Sequence, residues 1–203
     1  MKLFYFPGAC SMAVHITLNE IGAQYDLEKV DLMGDKKTES GDDYLQINPK
    51  GYVPCLQLDS GEYLTEVGSI LQYLADSNPS ANLLPAVGDQ QRYRVIEFIS
   101  YISGELHKNF APLFNPAITD EERAATLETI GKRLDLLNDQ LAGGGPFLTG
   151  EQFTIADAYL TTVLGWSQFV QMDMSPWPNL GAYAGAAMGR PAVQATLQEE
   201  GLG

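Results

Sequence analysis

Lys2-Leu3-Phe4-Tyr5-Phe6-Pro7-Gly8-Ala9-Cys10-Ser11, continuing through Met12 to Gly22, is the stretch on which the reading of the fold turns. Leu3 to Phe6 is a short apolar and aromatic run that stops at Pro7-Gly8, the pattern of a buried strand entering a turn. Beyond the turn, Val14, Leu18 and Ile21 recur at i, i+4 and i+7, which predicts a helix, and Gly22 stands where a left-handed C-terminal cap belongs. Tyr25 to Val30 reads as a second strand. A strand–helix–strand unit of this kind is parallel by the right-handed crossover rule.

Working outward, Gly34 to Ser40 is polar and reads as loop. After Asn48-Pro49-Lys50-Gly51, Val53-Pro54 leads into Leu56 and Leu58 in alternation, then the turn Asp59-Ser60-Gly61-Glu62 and Tyr63-Leu64-Thr65. This is a β-hairpin pattern. Proline cannot donate to a ladder, so Pro54 is expected to begin the third strand. Glu66 to Asp76 carries Ile70, Leu71 and Leu74 at helical spacing, and residues 1–77 therefore read β-α-β, connection, β-β-α. Residues 78–87, with Pro79 and Pro85 and no periodicity, read as a linker. Residues 88–203 carry helix signals only. Thr119-Asp120-Glu121-Glu122 is a capping-box pattern opening a helix to about Leu141, and Gly143 to Pro146 stops it. Thr154-Ile155-Ala156-Asp157 repeats that spacing, and a last helix is expected to begin near Pro191. The fold class is an α/β domain followed by an all-helical domain.

The chain has 203 residues, 45% of them hydrophobic, enough for one large core or two smaller ones. Its formal net charge is −14, with 5 basic and 12 acidic side chains in residues 1–78 and 7 and 14 in the remainder. No basic module exists in either part, which argues against the nucleic-acid backbone and against anionic lipid as partners. A small ligand is the better expectation. Cys10 and Cys55 are the only cysteines, so no disulfide framework is available and a reducing, cytoplasmic location is expected. No apolar run approaches the roughly 20 residues that span a bilayer, and Pro7-Gly8 interrupts the first apolar run before a signal peptide could form.

Two strand-to-helix junctions carry chemistry. At the first, Cys10 and Ser11 fall at a helix N-terminus, where backbone N–H groups and the helix dipole favour a thiolate, the protein's own or a ligand's. The ordinary role of an intracellular cysteine is small buried filler. No second cysteine stands three residues on, so a local two-thiol cycle is unavailable. At the second, Thr65-Glu66-Val67-Gly68 offers N–H groups to a carboxylate and the Glu66 side chain to an ammonium, although an acid in a first turn is often merely favourable electrostatics. Together the junctions point to a zwitterionic ligand. His107-Lys108 follows Ile99, Ile102 and Leu106 on a predicted long helix. A histidine beside an apolar face is usually a satisfied polar residue, and with only His15 as company it forms no zinc site of the usual kind, so no metal is expected. Gly131-Lys132-Arg133 and Gly143 to Gly145 lack the order of a phosphate loop.

Lys2-Leu3-Phe4-Tyr5, Pro7-Gly8-Ala9-Cys10-Ser11, Asn48-Pro49-Lys50-Gly51-x-Val53-Pro54, Leu64-Thr65-Glu66, Ile70 to Asp76, Glu105-Leu106-His107-Lys108 and Phe153 to Tyr159 occur in order. In this the chain resembles the bacterial beta-class glutathione transferases over essentially its whole length. The resemblance implies a thioredoxin-like glutathione-binding domain over 1–77, a helical domain over 88–203 carrying the electrophile side, a homodimer, and glutathione as co-substrate. It also implies that Val53 pairs its backbone with the cysteinyl part of glutathione, with Pro54 in the cis form. Glu66 and the N–H of Val67 would hold the γ-glutamyl end, and Lys36, or its neighbour Lys37, the glycyl carboxylate. Ala9, Cys10, His107 and Lys108 would belong to the same site, with Cys10 and His107 nearest the sulfur. Ser100 stands where relatives often carry an asparagine that reaches the ligand across the dimer. Thr154 and Asp157 would cap a core helix.

The activity implied is conjugation of the glutathione thiolate to an apolar electrophile. A second possibility is thiol-transferase or peroxidase chemistry through Cys10. A third is a non-catalytic binding or regulatory protein of the same fold. Cys10, Val53-Pro54, Glu66 and His107 together favour an enzyme, since a scaffold has no physical need for the full set. Phe110, Phe114, Trp166 and Phe169 could line the electrophile side, though aromatics at helical spacing are more often core.

Overall fold

A computed structural model describes residues 1–203 and divides them into two compact units, Met1–Asn82 with Pro191–Gly203, and Leu83–Arg190. In the first unit, strands β1 (Lys2–Tyr5), β2 (Asp26–Lys29), β3 (Cys55–Gln57) and β4 (Tyr63–Thr65) form one sheet in the order β2-β1-β3-β4. β1 pairs parallel to β2 and antiparallel to β3, and β3 pairs antiparallel to β4, so the expected crossover and hairpin are both present. Pro54 precedes β3 by one residue, with Val53-Pro54 cis. Register places Phe4 opposite Cys55 on one face, where they pack with Val30, Tyr44 and Val53. Leu3 and Leu56 are opposite one another on the other face, and both are fully buried.

Helix α1 (Ser11–Glu20) buries Ser11 to Leu18 without interruption. Its end is the predicted glycine cap: Gly22 has φ +63°, its N–H reaches Asn19 O at 3.1 Å, and Ala23 N–H reaches Leu18 O at 3.0 Å. The connection before β3 holds a short helix, α2 (Tyr44–Ile47), capped by Asp43 accepting from Leu45 N. The 34–40 segment is bridged to its surroundings by Val30 with Thr38 and Lys37 with Asp43. α3 (Val67–Ser77) buries Ile70, Leu71, Leu74 and Ala75 and packs against α1.

The second unit is helical. α4 (Gln90–Tyr101) runs into a π-helical turn over Ile102–His107, then α5 (Lys108–Phe110) and a 3₁₀ turn over Ala111–Phe114. The single long helix expected here is therefore irregular from Ile102 onward. α6 (Asp120–Leu141) begins on the capping box, Glu122 N–H to Thr119 Oγ1 at 3.2 Å and Thr119 N–H to Glu122 Oε2 at 3.0 Å. α7 (Ile155–Phe169) is the most buried helix of this unit, and α8 (Pro178–Met188) comes after it in the chain.

Two boundaries differ from the expectation. Leu83 and Leu84, read as linker within 78–87, are buried, and Leu83 O accepts the N–H of Ile155 at 3.0 Å. The last helix, α9 (Pro191–Glu199), read as part of 88–203, belongs to the first unit and packs along α1. The reason is polar as well as apolar. Val193 and Thr196 are buried, Asn19 Nδ2 donates to Thr196 Oγ1 at 3.0 Å, and the fully buried His15 lies 2.9 Å from Glu200 Oε1 and 2.7 Å from Glu199 Oε2. An imidazole with no exposure needs partners for both nitrogens; Nδ1 finds Glu200 in this segment, and Nε2 finds Glu199 together with Tyr25 Oη at 3.0 Å.

Candidate active site

The β1–α1 turn is shaped before any side chain acts. Gly8 has φ +71°, a left-handed conformation that glycine adopts without strain, and its N–H donates to Glu200 Oε2 at 2.8 Å. Ser11 Oγ accepts the Phe6 N–H at 3.2 Å and lies as close to Phe6 O. Cys10 is thereby set at the N-cap of α1, its thiol donating to Val53 O at 3.1 Å.

Of the two thiolates that this helix start was expected to favour, the protein's own or a ligand's, the protein's own, at Cys10, is disfavoured. Burial pushes its thiol up to about 12, aided by the Glu66 charge, and outweighs the backbone N–H groups of Cys10 and Ser11, which act the other way. Cys55, buried on β3, is pushed up to about 11, again by burial first. Desolvation, which disfavours the charged form, outweighs the helix start at this sulfur. Here the thiol is protonated and spends its proton on a carbonyl.

That carbonyl is held by its loop. Tyr44 Oη and Asn48 Nδ2 both donate to Tyr52 O at 2.7 Å, fixing the chain just ahead of Val53-Pro54. Lys36, itself at φ +55°, extends its ammonium to Gly51 O at 3.3 Å, and the backbone of the neighbouring Lys37 forms an isolated antiparallel β-bridge with that of Asp43. Glu66 is the N-cap of α3 at φ +72°, and its side chain makes no capping bond. Of the first-turn N–H groups that follow, Ser69 donates to Glu66 O at 3.1 Å, while those of Val67 and Gly68 precede the first intrahelical bond. The Glu66 carboxylate is instead met by Lys50 Nζ at 2.6 Å, which also donates to Thr65 Oγ1 at 3.0 Å. Both partners are largely exposed, so the pair is worth little and is readily exchanged.

The first unit thus brings Ala9, Cys10, Val53, Pro54, Glu66 and Val67 to the ends of β1, β3 and β4, with Lys36 reaching the 51–53 loop. Ser100, His107 and Lys108 lie in the other unit, along 90–110. Ser100 is exposed and donates to Ile96 O at 2.9 Å, and Lys108 is exposed. His107 is partly buried, which lowers its pKa below the usual imidazole value. Its Nδ1 lies 2.6 Å from Tyr159 Oη, and its ring meets Trp166 edge-on at 4.7 Å. Phe110 and Phe114 approach the same indole at 5.8 and 5.9 Å. Phe110 is buried as core, while Phe114 and Phe169 are exposed.

Sequence reasoning missed Lys50, Tyr159 and the Glu199–Glu200 pair as neighbours of these groups. Lys50 and Tyr159 sit inside quoted motifs, and a tyrosine on an otherwise apolar helix signals a hydroxyl in need of a partner. Nothing local marks Glu200, which acts across the whole chain.

Residues 8–77 match the family described as glutathione S-transferase, N-terminal domain, and residues 120–186 the glutathione S-transferase, C-terminal domain. Glutathione S-transferase GstA of Escherichia coli O157:H7 is 47% identical over all of both chains. A sphingomonad glutathione S-transferase solved in complex with glutathione is 50% identical, with a TM-score of 0.94 over all of both chains. A bacterial beta-class glutathione S-transferase of Sphingomonas chungbukensis is 48% identical at the same TM-score and coverage.

Proposed function

The chain belongs to the glutathione S-transferase family, and from that premise we propose how its residues divide the work. The enzyme is a glutathione transferase with glutathione as co-substrate. In the proposed division, the cysteinyl part of glutathione pairs with the backbone of Val53, ahead of Pro54. The γ-glutamyl ammonium takes Glu66 from Lys50, while its carboxylate sits on the N–H of Val67 at the positive end of α3. Lys36 answers the glycyl carboxylate, and Ala9 packs beside the sulfur. His107, Ser100 and Lys108 are assigned to the same ligand by the family pattern.

The observation that carries this reading is the convergence of Cys10, Val53 and Glu66, three groups distant in sequence, at adjoining ends of the sheet. The nucleophile is the glutathione sulfur. Its thiolate attacks an apolar electrophile, forming a C–S bond as the leaving group departs with its electron pair or the acceptor takes up the charge. Donors at the start of α1 and His107 stabilise the thiolate, and proximity supplies the rest. A Cys10 thiol near 12 favours this assignment over Cys10 as the resting nucleophile. Phe114, Phe169 and Trp166 offer the apolar electrophile its surface. No helix is long and apolar enough to cross a membrane, and a cytoplasmic homodimer is the setting proposed.

The test is Glu66→Gln, which removes a charge-assisted contact worth about 1.5–3 kcal/mol. KM for glutathione should rise by about tenfold or more with a smaller change in kcat. An unchanged KM would overturn the assignment of Glu66.

A further inference from the structure

We propose that Tyr159 is a positioning residue for His107, holding its imidazole in the tautomer that carries the proton on Nε2. The claim starts from α7. Tyr159 and Trp166 are seven residues apart, two turns along one face, and both are buried, at 1% and 5% exposure. One offers His107 Nδ1 a hydroxyl at 2.6 Å, and the other sets its indole edge-on at 4.7 Å from the imidazole. The tyrosine ring stands at 88° to the imidazole, with its centroid 5.9 Å away. The imidazole is therefore held by two side chains of the same rigid helix. The Thr154–Asp157 capping box fixes that helix five residues before Tyr159.

The direction of the hydrogen bond follows from the two groups. A phenol is the stronger acid, and an unprotonated imidazole nitrogen is a better acceptor than a phenolic oxygen, whose lone pair is delocalised into the ring. The hydroxyl donates to Nδ1. The nitrogen that accepts carries no proton, so the proton of the neutral ring is on Nε2. Burial lowers the His107 pKa, which favours the neutral ring.

A neutral ring with Nε2–H is a hydrogen-bond donor with no free basic nitrogen. His107 in this state stabilises an anion by donation and does not remove a proton from the glutathione thiol. This consequence rests on the reading that places His107 at the glutathione sulfur. The tautomer itself does not.

The chain has two histidines, which makes the measurement tractable. The full-length protein is labelled with 15N in its imidazoles, and long-range proton–nitrogen correlations are recorded above neutral pH, with His107→Gln identifying its signals by their loss. The expected result is an unprotonated Nδ1 and a protonated Nε2 for His107 in the wild type. Tyr159→Phe, which keeps the ring and removes only the hydroxyl, should move the pair toward a mixture of tautomers. The same variant should lower kcat for conjugation by about tenfold at unchanged glutathione KM, within the range that a well-placed donor or acid contributes. A protonated Nδ1 in the wild type, or a tautomer indifferent to Tyr159→Phe, overturns the proposal. A tautomer shift without any fall in kcat overturns the positioning role. Full activity in His107→Gln would instead sink the placement of His107 at the sulfur, with the tautomer result left standing.

Discussion

Cys10 is the N-cap of α1, its thiol donates to Val53 O, and burial holds that thiol in its protonated form. Its place at the start of α1 was legible from Pro7-Gly8-Ala9-Cys10-Ser11, as were Glu66 at the start of α3 and Pro54 at the start of β3. Its protonation state was not, because that depends on desolvation and on a carbonyl 43 residues away, neither of which is encoded locally. A protonated Cys10 separates two activities. Conjugation uses the ligand's sulfur and can proceed without a protein thiol, whereas attack on a disulfide needs one, and Ser11 is a far weaker nucleophile. Cys10→Ala should therefore retain conjugation at reduced rate and lose glutathione-dependent thiol transfer entirely. Both activities are measured on the one variant. Parallel loss of the two, with glutathione affinity intact, would show that Cys10 serves both reactions.

Among the elements, those specified by local pattern were readable: the strand–helix–strand opening, the hairpin, the glycine cap at Gly22 and the two capping boxes. Those created by tertiary packing were not. The π turn over Ile102–His107 has no signature in residue spacing, and α2 is too short to show one. The capping box of α7 has a further property. Asp157 is fully buried, accepting from Leu148 N at 2.9 Å and from Thr154 N and Oγ1 at 2.8 Å, yet burial raises its pKa to about 6 despite those donors. A folded-state pKa raised above the unfolded one adds stability that is full below the unfolded value and is lost as pH rises through the folded value. Asp157→Ala should cost on the order of 1 kcal/mol or more through loss of the cap. The gap from wild type should narrow as pH rises from about 4 to about 6, the interval between the two values. Thermal unfolding of both proteins across that range checks it, and a gap that widens refutes the assignment.

For the whole molecule, light scattering at micromolar concentration should give twice the 22.2 kDa of one chain, and the single-chain mass would refute the homodimer. At this scale the fold class was legible, but the division of the chain was not. Helical periodicity in 191–199 says that a helix forms and is silent about which core receives it. The answer lies in His15, whose buried ring is met by Glu199 and Glu200. That one contact orders events during synthesis. Residues 1–82 contain the entire sheet, yet while 83–190 are still being added α1 has nothing over the face that α9 covers, and His15 lacks its two carboxylates. At typical translation rates this interval lasts on the order of ten seconds. A nascent chain halted within it carries a complete sheet whose Gly8 turn has not yet received Glu200, and so the loop that presents Cys10 is among the last parts of the protein to be made rigid.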